Sequence, residues 1–236
     1  MTAIRGARER ARSEITTAIK DEARRQLAEE GAVKLSLRAV ARELGMVSSA
    51  LYRYFPSRDD LLTALIVDAY NAVGQAAEDA RDALTGAAAK RPAARWTAVC
   101  TAARTWALDH PHEYALIYGS PVPGYTAPRT TAGPAARVGL ALIGVVREAH
   151  AAGALREPAE PLPDAVIGDA LALGAALGVE LPGAVLARIV GAWAQLFGLV
   201  SFEVFGQFNR VVEARDAFFE QSVLQLARGV GLTTPH

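Results

Sequence analysis

The residues best suited to chemistry lie in one short segment, SLRAVARELGMVSSALYRYFPSR, at residues 36–58. The candidate contact residues in it are Arg38, Ser48, Ser49, Ala50, Tyr52, Arg53, Tyr54 and Arg58. Hydroxyl and guanidinium groups bond to phosphate oxygens and base edges, and small side chains such as Ala50 let a helix approach a thymine methyl. The sequence has no G-x-S-x-G elbow and no Walker-type phosphate loop. This combination favours nucleic-acid binding and predicts that the protein is not an enzyme.

Two short helices are expected to position these side chains. Ser36 is a good N-cap for the first helix, and Gly45 ends it because glycine tolerates the positive φ of a tight turn. The second helix is expected over residues 48–54, closed by Pro56. One helix must cross the DNA backbone while the other lies in the major groove, so this spacing predicts a helix-turn-helix. A helical hairpin with a solvated charged face has the same generic pattern, and this alternative stays open.

The rest of the chain also shows helical periodicity. Ile15, Ile19, Ala23 and Leu27 form one apolar stripe, and Ser57 is expected to cap a long helix that reaches the 80s. Further helices are expected at about 92–110, 111–118, 133–153, 163–177, 182–205 and 210–229. Residues 119–134 hold four Pro and three Gly, which is typical of a loop or a pocket lid. The sequence therefore predicts an all-α fold.

Charge and rare residues narrow the class further. The net charge is zero, but residues 1–58 carry a balance of +5, which suits contact with a polyanion. The only cysteine, Cys100, lies in an apolar helical stretch and is expected to be a buried filler. His110, His112 and Glu113 suggest a metal site, but no further ligand cluster accompanies them, so we expect helix capping or exposure and no metal or cofactor. Arginines near the N-terminus, where a signal peptide would be apolar, favour a cytoplasmic protein.

The segment as a whole resembles the DNA-binding domain of the TetR (tetracycline-repressor) family. The resemblance rests on the glycine turn followed by LYRYFPSRDDLLTAL and covers about residues 12–66. It implies that Arg38 and residues 48–50 reach bases, and that phosphates are held by Ser36, Tyr52, Tyr54 and Arg58. The position before Ser48 is commonly Ser or Thr in the family but is Val47 here. The cap is then expected to be Ser48, which shifts the helix start by one residue.

The resemblance also implies a C-terminal domain that binds a small molecule and dimerises. Residues 104–128 resemble the C-terminal type named for Trp, His and Gly, with Trp106, His110 and Gly119 at those positions. The aromatic residues beside the Gly/Pro-rich loop are candidate pocket residues, or else core aromatics: Trp96, Trp106, Tyr114, Tyr118 and Tyr125. The apolar stripes of the last two helices are candidate dimer contacts, or else core: Trp193, Phe197, Val200, Val204, Phe218 and Val223.

We therefore expect a helix-turn-helix DNA-binding domain at residues 1–58, joined by a long helix to an effector-binding and dimerisation domain at residues 59–236. The expected function is that of a homodimeric repressor, released from a palindromic operator by a small apolar or aromatic effector. A DNA-binding regulator that has no small-molecule effector is the alternative.

Overall fold

The structure is a computed structural model that describes residues 2–156 and 160–232. Its α-helices are α1 Thr2–Glu30, α2 Leu37–Glu43, α3 Ser48–Leu51, α4 Arg58–Asp82, α5 Gly86–Ala89, α6 Pro92–Asp109, α7 Pro111–Tyr118, α8 Ala132–Ala151, α9 Asp164–Leu177, α10 Gly183–Val204 and α11 Arg215–Gly229. Within these residues the only β pairing is an isolated bridge between Leu155 and Leu232. The fold is all-α, as the sequence predicts.

Local capping explains most helix boundaries. The Ser36 hydroxyl accepts a hydrogen bond from the Ala39 amide at 3.5 Å, and the Ser57 hydroxyl accepts one from the Asp60 amide at 3.1 Å. Pro111 opens α7, where its missing amide hydrogen has no cost. The last helix differs from our prediction, since it begins at Arg215 and not at 210. Arg210 has φ 63°, so a turn occupies the residues before α11.

The chain forms two compact units. The first comprises the chain up to Tyr70 together with His110–Ala132, and the second comprises Asn71–Asp109 together with the chain from Gly133 onward. These units do not coincide with a division at residue 58. Residues 59–70 and α7, with the loop that follows it, pack with the helix-turn-helix, because their apolar side chains complete its core.

The first unit has a core supplied by α1, α2, α3 and the first half of α4. Its buried residues are Ile19, Ala23, Leu27, Leu35, Leu37, Val40, Ala41, Leu51, Phe55, Leu61, Leu62 and Leu65. Leu116, Val122 and Tyr125 pack against this core from α7 and the following loop. Burial of this many aliphatic side chains holds α2 and α3 at a fixed angle.

The second unit packs α6 and α8 to α11 around a core that includes Trp96, Leu142, Leu186 and Leu196. By length and composition alone, α10 could cross a membrane, and 39% of its apolar window is buried. It packs against α6, α9 and α11, as a core helix does.

Charged clamps join helices within the second unit. Arg104 on α6 donates to both carboxylate oxygens of Glu203 on α10, at 2.6 and 2.7 Å, and bonds to Asp216 on α11 at 2.8 Å. Arg137 on α8 bonds to both carboxylate oxygens of Glu78 on α4, at 2.9 and 2.6 Å. These fork-shaped pairs fix the helices by geometry as well as by charge.

Candidate nucleic-acid interface

The turn between α2 and α3 is built as the sequence predicts. Gly45 adopts φ 64°, and the amide of Met46 returns to the carbonyl of Ala41 at 2.8 Å. A side chain at this φ is strained, since the left-handed region crowds Cβ against the carbonyl that follows. Leu51, fully buried, anchors α3 on the core and leaves its opposite face to solvent.

The start of α3 settles where its cap lies. Val47 is the N-cap residue, with extended backbone at φ −70° and ψ 136° and no capping side chain. Ser48 is the first helical residue, so the prediction that Ser48 itself is the cap is wrong. Val47 is 70% exposed, an apolar side chain projecting beside the two serines. The sequence reasoning passed over it, although an exposed valine at a cap position is itself unusual.

The structure brings the predicted DNA contacts onto one unit and leaves most of them accessible. Exposed side chains are those of Arg38, Ser48, Ser49, Tyr52 and Arg53, and half-buried ones are those of Ser36, Ala50, Tyr54 and Arg58. A depression of about 430 Å³ lies between the start of α2 and the segment after α3. Its lining includes Ser36, Arg38 and Tyr52, which together present two hydroxyls and a guanidinium. Such a cradle has the donors that a phosphate group requires.

Arg58 requires a correction. Its guanidinium donates to the backbone carbonyl of Ala32 at 2.7 Å, to that of Leu35 at 3.2 Å and to that of Val33 at 3.3 Å. These carbonyls belong to the short turn between α1 and α2, and the Arg58 side chain is only 29% exposed. Arg58 is therefore engaged in the fold, and we remove it from the set of phosphate contacts. Its position in the motif is explained by tethering α4 to that turn.

Arg12 was not predicted, and it lies beside the interface. Its guanidinium carbon is 5.5 Å from the centre of the Tyr54 ring, a cation–π distance, and its side chain is exposed. The stacking orients Tyr54 from α1 and adds a cation next to α3. The basic start of α1 was the available signal, but the two residues are far apart in sequence, and nothing local pairs their side chains.

An ionic hub ties together three helices of the first unit. Arg24 on α1 bonds to Asp21 at 2.7 Å, to Asp68 on α4 at 2.9 Å and to Glu113 on α7 at 3.1 Å. Lys20 joins Asp68 as well, at 2.9 Å. One guanidinium thus holds α1, α4 and α7 in register, and Glu113 is used in an ion pair.

The predicted pocket residues fall into two groups, one in each unit. Trp96 and Trp106 lie on α6 in the second unit, both buried. Tyr114 and Tyr118 lie on α7 in the first unit, with ring centres 5.2 Å apart. Tyr125 packs on the helix-turn-helix core, and its hydroxyl lies 2.9 Å from that of Thr63. Burial raises the pKa of Tyr118 and of Tyr70, so both phenols are neutral near pH 7.

Two polar atoms on α6 are buried without a hydrogen-bond partner. They are the indole nitrogen Nε1 of Trp96 and the hydroxyl oxygen of Thr97. An unpaired buried donor is destabilising, because it has lost its water and gained nothing in return. These atoms therefore mark the place in the second unit where a bound polar group is most needed.

The predicted dimer residues divide by exposure. Trp193 and Phe218 are 36% and 41% exposed, whereas Phe197, Val200 and Val223 are buried inside the second unit and Val204 is half-buried. The three buried side chains support the helices from within and cannot themselves contact a partner. Exposed neighbours that the sequence reasoning missed are Phe202 and Phe205.

Metal and thiol chemistry find no support in this part of the molecule. In residues 2–156 and 160–232, no group of three or more His, Cys, Asp or Glu side chains is placed to hold a metal ion. Cys100 is fully buried, and burial raises the pKa of its thiol, which keeps it protonated and unreactive.

Comparison with known proteins identifies the family. Residues 19–65 match the family model of bacterial regulatory proteins of the tetR family, and residues 96–226 match that of the tetracyclin repressor-like C-terminal domain. The chain is 41% identical over 209 residues to the HTH-type transcriptional regulator Rv1816 of Mycobacterium tuberculosis, covering 86% of each protein.

Solved structures share the fold. The crystal structure of SCO4313, described as a regulatory protein, superposes with a TM-score of 0.71 at 34% identity, covering 92% of this chain and 97% of that one. RolR, solved in complex with its ligand resorcinol, superposes with a TM-score of 0.53 at 13% identity, covering 97% and 98%. Members of this family are transcriptional regulators and not enzymes. Both domain matches and the helix-turn-helix geometry make this chain a member of the TetR family of DNA-binding transcriptional regulators.

Proposed function

We propose that the protein is a cytoplasmic, homodimeric repressor that binds a palindromic operator and leaves it when a small molecule binds. The observation that carries the DNA-binding part is the exposed face of α3 beside a donor-lined depression. Each subunit reads one half-site, and two-fold symmetry of the protein requires a palindrome with half-sites about one helical turn apart.

The contacts divide by chemistry. Ser48, Ser49 and Ala50 open α3 and are small enough for close approach to base edges, with Arg38 beside them. Val47 joins this set, because an exposed apolar side chain suits the thymine methyl group. Ser36, Tyr52, Arg53 and Tyr54 hold phosphates, and Arg12 adds a cation through its stacking on Tyr54.

The dimer forms through α10 and α11. Large apolar side chains remain at least 36% exposed on these helices and at the residue that ends α10, namely Val190, Trp193, Phe202, Phe205 and Phe218. Exposed apolar side chains on adjacent helices are typical of a subunit interface. A pair of helices from each subunit then makes a four-helix contact around the two-fold axis.

The effector is a small apolar or aromatic molecule that carries a hydrogen-bond acceptor. The buried, unpaired indole N–H of Trp96 supports the acceptor, and the apolar surroundings of that indole on α6 support the apolar body. RolR, a protein of the same fold, was solved with the aromatic ligand resorcinol. Binding shifts α4, which runs through both units, and changes the separation of the two α3 helices. A difference in effector affinity between the two states of about 1–3 kcal/mol is typical for such coupling.

The alternative is a DNA-binding regulator with no small-molecule effector. Two measurements separate the candidates. Selection from a random duplex library at low salt should yield a palindrome, and no sequence preference would refute the DNA-binding proposal. A metabolite panel screened by thermal shift should then yield compounds that raise the melting temperature and release the selected operator. Operator binding without any such compound would favour the alternative.

A further inference from the structure

A groove of about 800 Å³ runs between α10 and α11 on the second unit. Each helix lines it with a stripe at helical spacing, Gly191, Gln195, Gly198 and Phe202 on α10 and Phe218, Ser222, Gln225 and Gly229 on α11. Phe208 joins Phe202 to Phe218, with ring centres 5.7 and 5.5 Å apart. We call these three rings the aromatic end of the groove, and Gly191 with Gly229 its glycine end. On either helix the two ends are eleven residues, or about 16 Å, apart.

The glycines of the groove have no packing reason within the subunit. A Cβ added at Gly191, Gly198 or Gly229 meets no atom within 4 Å. By contrast, a Cβ at Gly183 would lie 2.7 Å from Ile167, and one at Gly174 would lie 2.8 Å from Leu186. Glycine lowers helix stability relative to alanine, so unexplained helical glycines imply something that must come close. At the groove, that something lies outside the subunit.

The aromatic end has the opposite shape. Phe202 is 52% exposed and Phe218 is 41% exposed, so both rings project from the surface. We infer that a second copy of this chain docks antiparallel in the groove, so that the aromatic end of each subunit fills the glycine end of its partner. This inference rests on the proposed homodimer and adds its register.

Packing selects the antiparallel register. In a parallel arrangement, phenylalanine would meet phenylalanine at one end while glycine met glycine at the other. The first contact would be overfilled and the second would leave a void, and both are destabilising. Reversal of the partner places Phe202 against Gly191 and Phe218 against Gly229, and the equal spacing on both helices satisfies the two contacts together.

The size and charge of the face agree with a subunit contact. By helix geometry α10 is about 33 Å long and α11 about 22 Å, and a face two helices wide spans about 20 Å. This gives about 500 Å² of projected area per subunit and at least about 1,000 Å² for the pair, which reaches the lower bound for a specific interface. Arg188 at the glycine end has a buried Nε without a partner, and the aromatic end of the second copy carries the exposed Asp216 side chain.

The test exchanges knob and notch between subunits. Gly191→Leu fills the glycine end, and it should raise the dimer dissociation constant at least about 30-fold, since the overpacking occurs twice per dimer. Phe202→Ala empties the aromatic end and should raise the constant at least about tenfold. Mixed in equal amounts with different mass tags, the two variants should form heterodimers in preference to either homodimer. In the mixed pair the introduced leucine side chain meets the space left by the removed phenylalanine ring, while the other contact is native.

Sedimentation velocity measures the constants, and native mass spectrometry counts the heterodimers. Gly133→Leu on α8 is the matched control, because a Cβ there also meets no atom within 4 Å. Unchanged thermal melting of the monomeric unit shows that the variants are folded. Wild-type dissociation constants in both variants would overturn the inference, and weakened variants without preferred heterodimers would overturn the register alone. A wild-type protein that stays monomeric while binding its operator would instead overturn the proposed homodimer.

Discussion

Separate replacement of Arg53 and Arg58 tests how the structure assigns these two neighbouring arginines. Arg53 is exposed and free to reach a phosphate, whereas Arg58 donates to three backbone carbonyls within the fold. Arg53→Ala should therefore weaken DNA binding and leave stability unchanged. Arg58→Ala should lower stability and leave the salt dependence of binding unchanged.

The magnitudes follow from the contacts. Each phosphate contact contributes about 0.9 to the slope of log K against log salt, so loss of Arg53 from both subunits should reduce the slope by about 1.8. Relative to about 1 M salt, that is roughly a 20-fold loss of affinity at about 0.2 M. Loss of the Arg58 bonds, partly exposed as they are, should cost about 2–3 kcal/mol, which corresponds to a fall in melting temperature of about 5–10 °C.

The assay is fluorescence anisotropy on the selected operator at salt concentrations between about 50 and about 300 mM, with melting followed by circular dichroism. Arg147→Ala, at an exposed position on α8, is the matched control and should alter neither quantity. Arg58→Lys keeps the charge but lacks the fork, so it should keep the slope and still lose stability. If Arg58→Ala flattened the slope as much as Arg53→Ala and melted at the wild-type temperature, our assignment would be refuted.

Three further predictions follow from single side chains. Gly45→Ala should destabilise the first unit by about 1–2 kcal/mol through its positive φ, because no neighbour lies near the new methyl group, and denaturant unfolding should show no such loss for Gly133→Ala in helix α8. Arg137 lowers the pKa of Glu78, so this pair stabilises the fold above the ordinary pKa of 4.5, and the stability is lost as pH falls below it; Glu78→Gln should flatten stability against pH in that range, and an unchanged acid limb would contradict the pairing. Trp96→Phe removes the unpaired donor, so the melting temperature without effector should not fall by more than about 2 °C while the shift caused by effector is lost, and a retained shift would exclude this N–H from the site.

Local signals account for what could be predicted from the sequence. Ser36, Ser57 and Pro111 fix helix starts through contacts within four residues, and Gly45 fixes the turn by its own backbone preference. The assignments that failed depend on contacts far apart in sequence. Arg58 reaches carbonyls 23 to 26 residues away, and Arg24 reaches Glu113 across 89 residues, so nothing local places α7 on the helix-turn-helix.

Apolar periodicity failed for a different reason on α10. The helix is apolar on more than one side, so a stripe at i+3 and i+4 steps describes the buried Phe197 and Val200 as well as the exposed Trp193. Periodicity identifies that a helix has apolar faces, but it does not say which face meets the subunit core. Only the position of α6 and α11 against α10 separates the two.

The same packing explains why the aromatic end of the groove can be a rigid feature. Arg104 lies beneath it, bonded to Glu203 on the last turn of α10 and to Asp216 on the first turn of α11, with its guanidinium carbon 5.0 Å from the centre of the Phe219 ring. A buried ion pair contributes little net stability, because its desolvation cost offsets the attraction, but it permits few alternative geometries. Arg104 therefore fixes the angle at which α10 turns into α11. A knob that is held in this way loses little freedom on docking, so more of its contact energy remains to set the spacing of the two DNA-binding helices.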